Sequence, residues 1–303
     1  MKRMVLFPLA FVLFVWTSPR AHAALQVVAT VPDLAALAKA IGGDDVRVQP
    51  LSLPTQDPHF VDAKPSLALA MNRADLLLLV GLDLEVGWLP TLLTGARNGK
   101  IQSGASGYLD CSQFVTKLDV PTTVVDRSQG DIHPQGNPHY LYDPRAAAAV
   151  ATGIAARLGE LDPDNAAAYR KRLAAFQSAL DARRAHWEKA LAKKRGTAFV
   201  SYHRTFSYLA DWLGWKAVGF LEPKPGVPPN PKHVAGLARS ARAAGVRLVL
   251  QESYYPDAMP ALVARQLEVP LVRIRPATDV SAGESYLEHF ERMMRVLEAP
   301  FQS

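Results

Sequence analysis

The feature that most constrains this chain is the stretch DPDNAAAYRKRLAAFQSALDARRAHWEKALAKK, running from Asp162 to Lys194. It opens on Asp-Pro and then continues without a glycine or a second proline, so nothing interrupts a helix once it has begun. Tyr169, Leu173, Phe176 and Leu180 recur at helical spacing, with charges on the other faces. At 1.5 Å per residue, a helix from Asp164 to Lys194 runs the length of a small domain. Such an element in mid-chain is a rigid strut between two lobes, and residues 143–195 as a whole read as helical.

The flanks of that region support two lobes. Between Ala24 and residue 142, LQVVATV, VRVQPLSL and DLLLLVG read as strands. They alternate with the helical patterns PDLAALAKAIGG, PSLALAMNRA and GWLPTLLTGA. Between residues 196 and 303, TAFVSYH, VRLVLQE and PLVRIRP read as strands among further helices, with a proline-rich loop PKPGVPPNP. Continuous apolar strands alternating with helices belong to parallel sheets covered on both faces. The expected fold class is therefore α/β, with two similar lobes, each a mainly parallel sheet flanked by helices, joined by a long rigid helix.

The amino terminus, MKRMVLFPLAFVLFVWTSPRAHA, has two basic residues, an apolar run and Ala21-x-Ala23, the pattern of a cleavable secretion signal at residues 1–23. Its apolar core is too short to span a bilayer, and no cysteine stands near the cleavage point to take a lipid. The expected product is soluble and outside the cytoplasm. Cys111 is the single cysteine, so no intramolecular disulfide can form there and the fold rests on its core. Removing the signal takes away Lys2, Arg3 and Arg20 and lowers the formal charge from +6 to about +3. That mild balance, without basic runs interleaved with aromatics, argues against a nucleic-acid partner.

Three histidines stand at or beyond strand ends. His59 follows VRVQPLSL, His203 closes TAFVSYH, and His139 lies in the stiff loop GNPHYLYDP after TTVVD. Ligand crevices of open α/β sheets form beyond those ends. Two of the three follow proline, which lowers the entropy lost on ordering a site. Neutral imidazole is the commonest metal ligand and suits zinc. The spacings of 80 and 64 residues are too wide for a zinc finger, so the fold must assemble any site. Among the rest, His186 reads as solvated in mid-helix, His233 as a helix-start residue and His289 as part of an amphipathic helix. His133, close to His139, is left as a subsidiary candidate.

QDPHFVDAKPS, ADLLLLVGLDLE, NPHYLYDP and YHRTFSYLADWLG, taken in order, resemble the solute-binding proteins of zinc and manganese ABC importers, the TroA-like and ZnuA-like group. The resemblance covers nearly the whole chain after the signal. It implies two α/β lobes on a long rigid helix with small closure, and metal ligation by His59, His139 and His203. Members selective for manganese tend to carry glutamate at the third position; imidazole there favours Zn2+ over Mn2+. The resemblance also implies an aspartate-proline at the end of the last strand, where this chain has Arg275-Pro276. Glu252 and Asp279 are then the candidates for a fourth ligand, with water as the third option. The implied compartment is the periplasm. The implied partner is an ABC permease in the inner membrane, with a periplasmic metal chaperone as a further candidate, and the implied state is a monomer without enzymatic activity. The rival is a zinc hydrolase using the three histidines with Glu252 as general base, although no HExxH segment is present.

Overall fold

The computed structural model describes residues 23–123, 125, 130 and 132–302. The secretion signal lies outside them except for Ala23, as do Val124 and Asp126 of TTVVD. The first lobe contains β1 (Leu25–Ala29), α1 (Pro32–Gly42), β2 (Val46–Pro50), α2 (Pro65–Asn72), β3 (Leu76–Leu79), α3 (Leu89–Ala96) and β4 (Tyr108–Asp110). Helices α4 (Pro144–Leu161) and α5 (Ala166–Leu191) follow. The second lobe contains β5 (Ala198–Ser201), α6 (Ser207–Leu213), β6 (Lys216–Phe220), α7 (Pro231–Ala243), β7 (Leu248–Glu252), α8 (Ala258–Leu267), β8 (Leu271–Ile274) and α9 (Tyr286–Glu298).

Each lobe holds a four-stranded sheet, ordered β2-β1-β3-β4 and β6-β5-β7-β8, with every pairing parallel. The central strand β3 is LLLL and wholly buried, as expected for a strand covered on both faces. In both sheets the order reverses between the first and third strands, so both crevices open beyond their carboxyl ends.

Two strands escaped the sequence reading. β4 has three residues and β6 is half exposed with Gly219 inside it; both lie at sheet edges, where periodicity is weakest. TTVVD is no strand in its described part, Thr122 and Thr123 forming a bend.

The strut is α5 extended by short 3-10 turns at Pro163–Asn165 and Ala192–Lys194. Three of its expected core residues, Tyr169, Phe176 and Leu180, are buried, and Leu173 is partly so. Trp187 and Leu191 continue the buried stripe into the second lobe, where Trp187 packs 4.9 Å from Phe290 and donates to Glu291 Oε2 at 2.9 Å. One continuous apolar cluster thus runs from β1 and α1 through α4 and α5 to α9. Bending the strut would expose part of it, which costs roughly 25 cal/mol for each Å2 of apolar surface.

Candidate metal centre

The loop after β2 carries His59 through a local device. The Asp57 carboxylate accepts the His59 backbone N–H at 3.0 Å and its Nδ1–H at 2.7 Å, with Pro58 fixing the backbone between them. With Nδ1 donating, the Nε2 lone pair of His59 is left to face outward. The His139 arm repeats the turn with an amide. Asn137 Oδ1 accepts the His139 N–H at 2.9 Å, while Asn137 Nδ2 donates to Asp119 Oδ2 at 2.9 Å and to the Arg204 carbonyl at 2.8 Å. Gly136 enters the arm at φ +119°, a region costly for residues with a side chain. The Tyr140 hydroxyl pins the arm to the Val80 carbonyl at 2.7 Å.

His203 is placed by the second sheet. Hydrogen bonds continue past the ends of β5 and β6, Leu221 N to Ser201 O at 2.9 Å and Glu222 N to Tyr202 O at 3.1 Å. They carry Glu222 alongside His203, and its Oε2 accepts from His203 Nδ1 at 2.7 Å. That bond leaves the Nε2 of His203 unprotonated.

The three rings form a triangle with sides of 5.3 Å between every pair of centroids. One ring nitrogen from each lies within 4.8 Å of the others, and all three side chains are buried. The Nε2 of His139 has no hydrogen-bond partner, an orphaned buried acceptor of the kind that a cation satisfies. His133 stands beside the triangle, its Nε2 at 3.3 Å from that of His59 and its ring 6.5 Å from His139.

The electrostatics keep His139 and His133 neutral. Burial, together with the neighbouring imidazoles at His203, His59 and His133, holds His139 well below the usual imidazole range. Burial and the charges that His59 and His203 would carry push His133 down to about 3. Burial works to raise Asp57, but its bonds and charge interaction with His59 outweigh that and leave it below the ordinary aspartate value. A neutral ring with an oriented lone pair is the form that binds metal.

Neither acidic candidate for a fourth ligand joins the triangle. Asp279 is committed to its own loop, its Oδ1 accepting from Ser281 Oγ at 2.6 Å and Ala282 N at 3.2 Å. Glu252 is fully buried and shares the wall of a small cavity of about 60 Å3 with His139. Burial raises its pKa to about 7, against smaller opposing contributions from Thr205 and Tyr254. The Tyr254 hydroxyl is 3.3 Å from Oε1, while Oε2 and the Thr205 hydroxyl do not meet hydrogen-bond geometry. Arg275 is paired with Glu284, which also binds Arg292. Its charge is therefore offset within its own loop, and Tyr142, from beyond the His139 arm, meets the next residue's carbonyl, Pro276 O, at 3.3 Å.

Asp57 and Glu222 are the functional residues that the sequence reading lacked. Asp57 was present in the aspartate-proline-histidine motif, and the i to i+2 spacing was the available signal. Glu222 has no local signal, since parallel pairing of β5 with β6 brings it across 19 positions. His186 is exposed, His233 Nε2 donates to the Phe220 carbonyl at 2.8 Å, and His289 is buried against Arg292 at 2.8 Å.

The zinc-uptake complex component A periplasmic family model, ZnuA, matches residues 27–299. The zinc-binding lipoprotein AdcA of Streptococcus pneumoniae serotype 4 (strain ATCC BAA-334 / TIGR4) is 22% identical over 285 residues, taking in 92% of this chain and 56% of AdcA. The chain thus spans about half the length of that relative. The high-affinity zinc uptake system protein ZnuA of Paracoccus denitrificans (strain Pd 1222) is 25% identical over 295 residues, covering 84% of this chain and 83% of that protein. Among solved structures, the SBP FpvC of P. aeruginosa in complex with Ni2+ superposes with a TM-score of 0.77 at 22% identity, over 92% of this chain and 97% of FpvC.

Proposed function

This chain belongs to the zinc-uptake complex component A periplasmic family, and from that premise we propose that it is a periplasmic binding protein that captures zinc and delivers it to an ABC permease in the inner membrane. His59, His139 and His203 are the proposed ligands. The observation that carries the reading is the closed triangle of imidazoles, 5.3 Å on each side, with the buried Nε2 of His139 left unpartnered. Three neutral nitrogen donors favour zinc over manganese, which prefers oxygen. Asp57 and Glu222 orient two of the rings and raise their basicity, as carboxylates behind metal-bound histidines do. No bond in a substrate needs to break: capture, holding and release suffice. Residues 24–142 would form the metal-binding lobe, 143–195 the helical strut region and 196–303 the second lobe, in a monomer loaded directly or by a periplasmic chaperone.

The test is metal analysis of protein purified without chelators, alongside His59→Ala, His139→Ala and His203→Ala. One zinc per chain in the parent and weakened binding in each folded variant is the expected result. Unchanged zinc stoichiometry and affinity in all three variants would sink the reading.

A further inference from the structure

Beside the metal centre the second lobe carries a cavity of about 770 Å3, between the segment after β6 and one face of α7. Arg204, Lys224, Lys232 and Arg239 line it, and among the described residues the one carboxylate in the lining is Glu222, which is already engaged by His203. Among the described residues Arg204, Lys232 and Arg239 have no ion-pair partner; the Arg204 guanidinium lies over the Phe220 ring at 4.9 Å. Lys232, Gly236, Arg239 and Ser240 share one face of α7 by helical spacing. Gly236 keeps that face open: a Cβ there would meet only Arg239 Nη2, at 4.0 Å.

Cations converging on one hollow repel one another and draw in an anion. The hollow's volume falls in the range of small-molecule sites, unlike the flat surfaces that meet protein partners. It is too large for one compact anion, and its unpaired cations stand on separate elements, Arg204 in the turn after β5 and Lys232 and Arg239 on α7, so several anionic groups on one molecule fit better. Placed next to a site for a cation, this charge disfavours a bare divalent ion and favours an anionic complex of it. We propose that the cavity binds a small polycarboxylate, the class of anion that chelates divalent metals, so that a metal chelate is held by its organic part next to the three imidazoles. The second half of this statement rests on the zinc reading above; the anion site does not.

The test is calorimetric titration of citrate into the metal-free protein at low salt, with acetate and inorganic phosphate as comparators. Zinc stoichiometry is measured separately on the same preparations. Citrate is expected to bind once per chain, at least about tenfold more tightly than acetate or phosphate. The double variant Lys232→Ala/Arg239→Ala should weaken citrate by about tenfold or more. Gly236→Leu, which puts a side chain between Lys232 and Arg239 and keeps every charge, should also weaken citrate binding. Both should still take one zinc per chain, the double variant at least as tightly as the parent because two positive charges are gone. Citrate binding no tighter than the comparators, or unmoved by both variants, would overturn the proposal. Citrate bound as expected by a protein that takes no zinc would leave the anion site standing and remove the metal reading.

Discussion

The two lobes share a strand order, and each buries a glutamate at or beyond the end of its third strand, yet the two carboxyl groups are treated differently. Glu85, in the turn after β3, accepts from Thr30 Oγ1 at 2.6 Å, Val80 N at 2.7 Å and Gly81 N at 3.1 Å. Glu252, closing β7, has one long contact from Tyr254 at 3.3 Å and an Oε2 with none. Burial raises both to about 7. In the first lobe the position is a closed lock that ties the end of β1 to the end of β3. In the second it keeps acceptor capacity in the wall of a cavity shared with His139. The same architecture supplies structure on one side and an unfilled acceptor on the other.

The lobes also differ in how many donors they bring, and that difference carries the largest expected effect. The first lobe supplies His59 and, on its arm, His139, with His133 3.3 Å from His59; the second supplies His203 alone. His203→Ala should therefore weaken zinc by about 100-fold or more, beyond the range for losing a mere supporting carboxylate. His59→Ala should cost less, because His133 can approach the vacated position, and His59→Ala/His133→Ala should restore the full loss. Competition titrations against a zinc chelator measure all three. Equal losses for His59→Ala and the double variant would show that His133 offers no substitute.

A second effect tests the supporting carboxylates. Asp57→Asn and Glu222→Gln should each lower zinc affinity by roughly 10–100-fold with the fold intact. Acid release belongs to the same test. Because burial and neighbouring imidazoles keep His139 well below its ordinary value, proton competition at that ring starts at lower pH than for a free histidine. Between about pH 7 and pH 6 zinc affinity should thus fall less than proton competition at three ordinary imidazoles of about 6.5 would make it fall. A fall as steep as three ordinary imidazoles give would mean that His139 is hydrated rather than buried.

How much of this was legible in the sequence follows from the range of the forces involved. The strut, the two α/β lobes and the strand-end histidines were readable because periodicity, proline and glycine act locally, as at Tyr169 to Leu180 and in Asn137-Pro138-His139. The edge strands β4 and β6 were not, being short or half exposed. Glu222 could not be found from its neighbours, since only the β5–β6 pairing brings it to His203. Arg275 looked like a cation beside a cation site, but Glu284, nine positions on, takes up its charge.

The two glutamates give a third, smaller effect on stability. Glu85→Gln replaces an acceptor-only group facing three donors with one that turns an N–H toward them, and should cost about 1–3 kcal/mol in denaturant melts. Glu252→Gln, with fewer donors to disappoint, should change stability by less than about 1 kcal/mol at low pH, where the parent's carboxyl is protonated and resembles the amide. Both folded-state pKa values lie above the ordinary glutamate value of 4.5. The stability that each protonated group contributes is therefore full below about 4.5 and is lost as pH rises through about 7. Glu252→Gln should flatten the stability profile across that window. A parent profile that rises through it would contradict the burial argument for both residues.

The smallest expected effect separates the two acids that could complete the metal site. Asp279 is half-buried and already accepts from Ser281 and Ala282, so Asp279→Asn should leave zinc affinity unchanged. Glu252 lies outside the triangle of donors but borders His139 with an oxygen to spare. A divalent ion nearby favours its ionised form, and the ionised form favours the ion. Glu252→Gln should then weaken zinc by less than about tenfold, below the range for carboxylates bonded directly to a ligating ring. The effect should be larger at pH 8 than at pH 6, because at the lower pH much of the parent's Glu252 is protonated and resembles the amide. Equal affinities for the parent and Glu252→Gln at pH 8 would mean that three imidazoles and solvent hold the ion, with Glu252 a buried carboxyl that the metal does not sense.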